Sequence, residues 1–341
     1  MHMADALVSP AVGGAMLAVS AGAIAYSVIK TKENLDDKKV PVMGVMGAFV
    51  FAAQMINFTI PVTGSSGHIG GGILLAALLG PYPAFLTITA VLLIQALFFA
   101  DGGLLALGCN IFNMGFYACF IAYPLIYKQI IKKGLNPKTI TIASIISVII
   151  GLQLGAFSVV LETLASGITE LPFSAFVALM QPIHLAIGLV EGIITAAVLT
   201  FVYQMRPEIL DSAVTGKKIG AVSVKKVVTV LIVLTLIVGG GLSLFASSYP
   251  DGLEWSMQGV TGSTELETDA KAAEAAAALQ EKTAFMPDYG FKSAGEEGSA
   301  AGTSTAGIVG GTLTLLLAGL SGLAVATVKK NKKSKAVKSA A

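Results

Sequence analysis

The stretch that decides the fold covers residues 174–204 and reads SAFVALMQPIHLAIGLVEGIITAAVLTFVYQ. Glu191 is its only formally charged residue. An α-helix needs about 20 predominantly apolar residues to cross the ~30 Å hydrocarbon core of a bilayer. This stretch is therefore predicted to be a transmembrane helix.

The rest of the chain has the same apolar character. Of its 341 residues, 55% are hydrophobic and 12% are charged, and the mean hydropathy is +0.80. A soluble globular protein carries roughly 25% charged residues. The 38 glycines suit close helix packing in lipid, and the weak alternation of apolar and polar residues argues against a β-barrel. We predict an all-α, polytopic membrane protein and expect no nucleic-acid partner.

Apolar runs separated by polar breaks predict nine membrane spans. The third of them is short and rich in glycine. The nine spans lie at residues 9–29, 41–58, 69–81, 84–100, 104–127, 139–164, 174–204, 227–247 and 307–328.

The basic residues predict how these spans are oriented. Apart from Lys271, Lys282 and Lys292, all of them fall in segments that the nine spans place on one side of the membrane. By the positive-inside rule that side is the cytoplasm, so we expect a multi-pass protein of the cytoplasmic (inner) membrane with its N-terminus outside and its C-terminus inside. The four basic segments are residues 30–39, 128–138, 206–226 and 329–338.

Charge and spacing divide the chain into two modules after residue 204. Residues 1–204 are predicted to form a seven-helix bundle, and residues 205–226 a basic cytoplasmic linker. Residues 227–328 then form a two-helix hairpin around a large external loop, residues 248–306, and a basic cytoplasmic tail follows at residues 329–341. Within the loop, the alanine-rich stretch 270–280 predicts a helix.

The first residues of the chain, Met1 and His2, could chelate a metal ion. No basic region precedes the first apolar run, so we expect no cleavable signal peptide and an intact N-terminus. The terminal amine, the backbone nitrogen of His2 and its ring Nδ1 can close a five-membered and a six-membered ring on one ion, and His68 could add a fourth nitrogen. Planar nitrogen coordination favours Ni(II) or Cu(II) over Zn(II). Co(II) would fit the same nitrogens if an axial ligand were added. Alternatively, His2 is a disordered terminal residue and His68 a helix cap.

Two other patterns could carry chemistry. His184 and Glu191 are seven residues apart and share a helix face, which suggests either a proton-coupled metal carrier or hydrogen bonds between helices inside the bundle. The Gly64–Gly67 segment matches the GxSG pattern of intramembrane serine proteases, with Ser66 as nucleophile and His184 as its base. The sequence contains no Walker A loop, so energy for active transport would come from a partner or an ion gradient.

Four motifs together resemble one known family. They are the initial Met-His, the Asn-Phe-x-Ile-Pro-x-x-Gly-x-Ser-Gly-His turn from Asn57 to His68, the Gly-Gly-x-x-Leu-Ala-Ala-Leu-Leu-Gly-Pro segment from Gly71 to Pro81, and the stretch from Asp101 to Met114. Over about residues 1–204 the chain resembles the CbiM/NikM family, the substrate-specific M components of energy-coupling factor transporters for cobalt or nickel. The Pro-Asp-Gly-Leu-Glu segment at Pro250 resembles the small N component, so the chain looks like a fused MN protein.

The resemblance implies a function and a ligand set. It implies a transporter subunit and not an enzyme, with Ni(II) or Co(II) as cargo and no catalytic cofactor. The implied metal ligands are the Met1 amine, the backbone and ring nitrogens of His2, and a ring nitrogen of His68. The implied partners are a transmembrane T component and ABC-type ATPase subunits, which would hydrolyse the ATP.

Overall fold

The fold is almost entirely helical. The computed structural model describes residues 1–292 and 300–340. The helices are α1 (Pro10–Asn34), α2 (Lys39–Gln54), α3 (Gly72–Leu79), α4 (Pro81–Phe99), α5 (Leu107–Ile131), α6 (Pro137–Ser166), α7 (Phe173–Met205), α8 (Pro207–Thr215), α9 (Lys225–Gly240), α10 (Gly252–Thr261), α11 (Lys271–Thr283) and α12 (Ala300–Ala340).

Within the described residues, seven helices are long and apolar enough to cross a membrane: α1, α4, α5, α6, α7, α9 and α12. The prediction of an all-α, polytopic membrane protein is confirmed. Large apolar side chains such as Leu161, Leu189 and Leu236 are 43–53% exposed on these helices, as expected where the neighbour is lipid. In the centre of α5, residues Phe112–Tyr127 are π-helical and include Pro124.

Two predicted spans are shorter than the sequence suggested. The span predicted at 41–58 is α2, which has 16 residues and ends at Gln54. The span predicted at 69–81 was wrong as a full crossing, since α3 has 8 residues, or about 12 Å at 1.5 Å per residue. Glycines with positive φ bound it on both sides, Gly71 (φ 76°) and Gly80 (φ 86°).

The chain reaches the start of α3 through irregular backbone inside the bundle. Such backbone is tolerated at membrane depth only where protein groups satisfy it. The N–H of Gly71 donates to Glu191 Oε1 at 2.8 Å, and the carbonyl oxygen of Gly70 accepts from Gln54 Nε2 at 2.9 Å. Glu191 therefore stabilises the backbone at the start of α3.

The segment predicted as an external turn is a β-hairpin. Strands β1 (Phe58–Ile60) and β2 (Ser65–Gly67) pair antiparallel, with Thr59 opposite Ser66. The loop before α10 lies on the hairpin, because the N–H of Ser66 donates to the carbonyl oxygen of Pro250 at 2.8 Å. Trp255 Nε1 also donates to the carbonyl oxygen of Thr63 at 3.0 Å.

The C-terminal helices pack directly on the bundle. Gly44 of α2 faces the backbone of α12, where a Cβ on Gly44 would lie 3.0 Å from the Leu315 carbonyl oxygen. Helices α9 and α12 approach each other at Gly239 and Gly307, where an added Cβ on Gly307 would lie 2.3 Å from the Gly239 oxygen. Small residues at such contacts let helix backbones approach closely in lipid.

The segment predicted as a basic linker, residues 205–226, contains the short helix α8 and folds back against the α1–α2 connection. Lys38 Nζ donates to the carbonyl oxygen of Val222 at 2.8 Å, and the N–H of Ile219 donates to Asp36 Oδ2 at 2.7 Å. Two of the basic segments thus meet at one end of the bundle. The predicted helix at 270–280 is confirmed as α11.

Candidate metal site

The N-terminal segment, residues 1–5, is held in place at the opposite end of the bundle. Asn110 brackets Met3, because its Oδ1 accepts from the Met3 N–H at 2.7 Å and its Nδ2 donates to the Met3 carbonyl oxygen at 3.1 Å. The N–H of Gly103 donates to the same carbonyl oxygen at 2.9 Å. A Cβ on Gly103 would lie 2.5 Å from the Asp5 backbone nitrogen, so this approach requires glycine.

The three residues predicted as metal ligands lie together. The Met1 amine nitrogen is 3.2 Å from His68 Nε2, and Met1 is 5% exposed. The rings of His2 and His68 stack with centroids 5.1 Å apart and an interplanar angle of 23°. His68 Nδ1 donates to the carbonyl oxygen of Ile69 at 3.0 Å, which directs the Nε2 lone pair towards the amine. Because its ring is packed against His68, His2 is not a disordered terminal residue.

The ring of His2 also contacts an acidic residue. His2 Nδ1 lies 3.2 Å from Asp101 Oδ1, and Nε2 lies 3.2 Å from Gln95 Oε1. Tyr289 donates to the other oxygen of Asp101 and accepts from Gln95 Nε2 at 3.2 Å. A chelate through Nδ1 would therefore exchange the Asp101 contact for the ion.

Asp251 is a site residue that sequence reasoning missed. It accepts a hydrogen bond from the Met1 amine, and its Oδ2 lies 3.8 Å from His68 Nε2. Its other oxygen caps α10 by accepting from the N–H groups of Leu253 at 2.7 Å and Glu254 at 3.0 Å. The Pro-Asp-Gly composition of this segment is typical of a turn and accounts for the cap, but no local pattern indicates a partner at residue 1.

Burial and charge shape the protonation of these groups. Burial, together with the Met1 amine and His2, lowers the pKa of His68 to about 3. Burial also lowers the pKa of His2, although Asp101 opposes the shift. Burial alone would raise the pKa of Asp251, but the Met1 amine and His68 hold it well below its ordinary value. Both imidazoles are thus neutral near pH 7 and can offer lone pairs.

An acidic vestibule adjoins the ring of His2. It has a volume of about 340 Å³ and is open to solvent. Carboxylates concentrated around a cleft raise the local cation concentration. Both modules supply its acidic residues, which are Asp5, Asp101, Glu254, Glu265 and Asp288.

Two residues of the alternative patterns, Ser66 and Glu191, make hydrogen bonds within the packed structure. Ser66 Oγ donates to the carbonyl oxygens of Tyr249 at 2.7 Å and Pro250 at 3.2 Å, so this hydroxyl is engaged in joining the hairpin to the α10 loop. Glu191 binds backbone at α3. In the part of the chain that the structure describes, no three His, Cys, Asp or Glu side chains gather as a metal cluster. A metal site at Met1 would therefore depend on the terminal and backbone nitrogens.

Family models match both modules. Residues 2–209 match CbiM, described as the cobalt uptake substrate-specific transmembrane region. Residues 225–327 match the PDGLE domain. Residues 210–224 lie between the two matched regions.

Relatives and solved structures are metal transport proteins by name. A protein of Lactiplantibacillus plantarum named "Probable fused nickel transport protein LarMN" is 31% identical over 269 residues, which are 76% of this chain and 79% of that protein. The cobalt transport protein CbiM of Sorangium cellulosum is 32% identical over 57% of this chain and 87% of its own. A crystal structure of a transition metal transporter has a TM-score of 0.54 and 31% identity, and the match covers 61% of this chain and 94% of that one.

Proposed function

The chain belongs to the CbiM family of metal transport proteins, and from this premise we propose that it captures Ni(II), with Co(II) second, outside the cytoplasmic membrane for inward transport. Its relatives carry both nickel and cobalt names. The proposed donors are nitrogens, and a planar nitrogen set favours Ni(II). Co(II) would need an axial ligand in addition, and Asp251 Oδ2 is the oxygen that approaches the site from the second module.

The observation that carries the proposal is the burial of the Met1 amine beside His68 Nε2. A terminal amine is normally solvated, and here it points into a pocket of neutral imidazole and carboxylate. The proposed ligands are the Met1 amine, the backbone nitrogen and Nδ1 of His2, and Nε2 of His68. Binding releases the protons of the amine and the backbone amide, as metal binding to such donors requires.

Transport is proposed to depend on partners that hydrolyse ATP. The sequence contains no Walker A loop. We propose that a transmembrane T component and ABC-type ATPase subunits of an energy-coupling factor complex supply this activity. The end of the bundle that carries Met1 faces outwards in this proposal, and the basic end around Lys38 faces the partners in the cytoplasm.

The proposal is tested by adding one glycine ahead of Met1. The added residue moves His2 to position three, so a chelate through the new amine would include two backbone nitrogens and rings of five, five and six atoms. The N-terminal segment, with His68 and Asp251 against its amine, leaves little space for this longer chelate. Nickel affinity should fall by roughly 100-fold or more, beyond the 10–100-fold typical of disturbing an outer-shell partner. Metal content after equilibrium dialysis measures the loss, and intact mass confirms that Met1 is retained.

Controls separate ligand loss from misfolding. One glycine appended after Ala341 should change nothing, and His2→Ala and His68→Ala should each lose binding with the helical circular dichroism preserved. Nickel affinity that stays unchanged in the N-terminally extended protein, and is lost when His68→Ala is added to it, would refute the amine as a ligand, because a three-residue chelate would supply four nitrogens without His68. Competition between Ni(II) and Co(II) on the unmodified protein then measures the proposed preference.

A further inference from the structure

A small cavity lies beneath the proposed capture site, on the side towards the bundle interior. Its volume is about 30 Å³, which is room for one water molecule or one metal ion. Residues from both modules form its wall. The residues that line it include Met1, His68, Asn113, His184, Glu191 and Gly252.

His184 directs an unpaired nitrogen to this cavity. Its Nδ1 lies 2.7 Å from the carbonyl oxygen of Met180, one turn earlier on α7, and this hydrogen bond assigns the proton to Nδ1 and the lone pair to Nε2. The side chain is 1% exposed, and Nε2 has no hydrogen-bond partner within the described residues. Gly252 closes over the ring, since its Cβ position would be 3.3 Å from Nε2.

His184 repeats the arrangement of His68. In both rings Nδ1 donates to a backbone carbonyl oxygen, from Met180 at 2.7 Å and from Ile69 at 3.0 Å. A histidine that binds a metal almost always donates its other ring N–H in this way, which fixes the tautomer and the ring orientation. His68 turns its free nitrogen to Met1, and His184 turns its own to the cavity below.

Two further acceptors face the same cavity. Asn113 Nδ2 donates to Glu162 Oε2 at 2.7 Å, which fixes the amide orientation, and Asn113 Oδ1 has no partner among residues 1–292 and 300–340. Glu191 adds a carboxylate, of which Oε1 accepts from the Gly71 N–H. Two unpaired acceptors, His184 Nε2 and Asn113 Oδ1, thus belong to residues that line one small cavity, and Glu191 adds a carboxylate to its wall, an arrangement that suits a cation.

We propose that this cavity is a second cation position, in which His184, Asn113 and Glu191 receive the transported ion after it leaves Met1, His2 and His68. The inference rests on the capture function proposed above. One imidazole nitrogen with amide and carboxylate oxygens is a mixed donor set, and such a set binds divalent ions of the first transition row. It lacks the chelate rings of the outer site, so it binds the ion more weakly and can pass it on.

The test uses the full-length protein in detergent with Co(II) as the probe. Equilibrium dialysis should show a first, tightly bound ion and a second, weaker one, and anomalous scattering at the cobalt edge should place the second ion beside His184. His184→Ala should remove the second ion and keep the affinity for the first within about twofold. Glu191→Gln, which keeps an oxygen for Gly71, should weaken the second ion by roughly tenfold, a change typical of a lost contact near a metal.

A matched variant on the same helix controls for packing. Gln181→Ala removes a polar side chain of α7 that bonds the backbone of Gln153 and should leave both ions bound. A second ion that persists in His184→Ala, or a cavity that holds only water at saturating Co(II), would overturn the proposal. Absence of the first ion from the unmodified protein would instead refute the capture function, so the two failures are distinguishable.

Discussion

Asn110 is the residue that fixes the N-terminal segment with both polar atoms of its amide. The backbone N–H and carbonyl of Met3 are bonded to it at 2.7 and 3.1 Å, and Met3 is fully buried. The position of the Met1 amine, two residues away, follows from this bracket. The side-chain hydrogen bonds described for Asn110 both go to Met3 and not to the proposed ligands, so its expected role in capture is one of positioning.

We expect Asn110→Ala to lower nickel affinity by about 10–100-fold, the range found for outer-shell partners of metal sites. It also leaves the buried N–H of Met3 unpaired, at a cost of ~1–3 kcal/mol, whereas the Met3 carbonyl oxygen keeps the hydrogen bond from Gly103. Asn136→Ala is the control, because it removes the N-cap of α6 at a cost of ~1 kcal/mol far from the site. Dialysis and thermal unfolding should show lower stability in both variants and lower affinity only in Asn110→Ala, and equal affinities would refute the positioning role.

The sequence predicted the candidate ligands whose chemistry is distinctive. Met1, His2 and His68 were predicted because a terminal amine and histidines are few and have defined donor geometry. Asp251 was missed because its contact joins residues 250 positions apart in the chain, and a Pro-Asp-Gly segment has a sufficient local explanation as a helix cap. Asn110 lies within the Asp101–Met114 motif, but its two hydrogen bonds to Met3 are visible only in the fold.

Among the helices, α2 makes a close contact between the two modules. Its face towards α12 contains Gly44, whose Cβ position would be 3.0 Å from the Leu315 carbonyl oxygen and 3.5 Å from Gly319 Cα. No such contact exists at Gly22 on α1, where a Cβ would meet nothing within 4 Å among the described atoms. The lengths of the apolar runs predicted that these helices exist. They did not predict which helices pack together, because the small residues that allow close packing occur throughout the sequence.

The docking of the second module is tested by splitting the chain. Residues 1–215 and 216–341, produced together with a tag on the first piece, should copurify. Gly44→Leu should reduce recovery of the second piece by roughly tenfold or more, because overpacking costs ~1–3 kcal/mol and 1.4 kcal/mol is tenfold. Gly22→Leu should not change recovery. Equal recovery from both variants would show that α2 does not hold the second module through this contact.

For the molecule as a whole, the two ends of the bundle differ in charge. One end has the acidic vestibule and the Met1 site, and the other has Lys38 bonded to the segment after α8. Hydropathy predicted the seven helices that are long enough to cross a membrane and overestimated the lengths of α2 and α3. At α3, two glycines of positive φ end an apolar run that composition alone extends. Which end faces the cytoplasm stays a prediction from the positive-inside rule.

Cysteine labelling on intact cells tests this orientation. Ser263, after α10, and Thr215, at the end of α8, are exposed at opposite ends of the bundle, whereas Ser212 is 1% exposed and would make a poor reporter. The native Cys109 and Cys119 are free but buried, so the background should be low. Ser263→Cys should react with a membrane-impermeant maleimide on intact cells, because its end carries the capture site. Thr215→Cys should react only after permeabilisation, and the reverse pattern would place Met1 in the cytoplasm, where capture from outside is impossible.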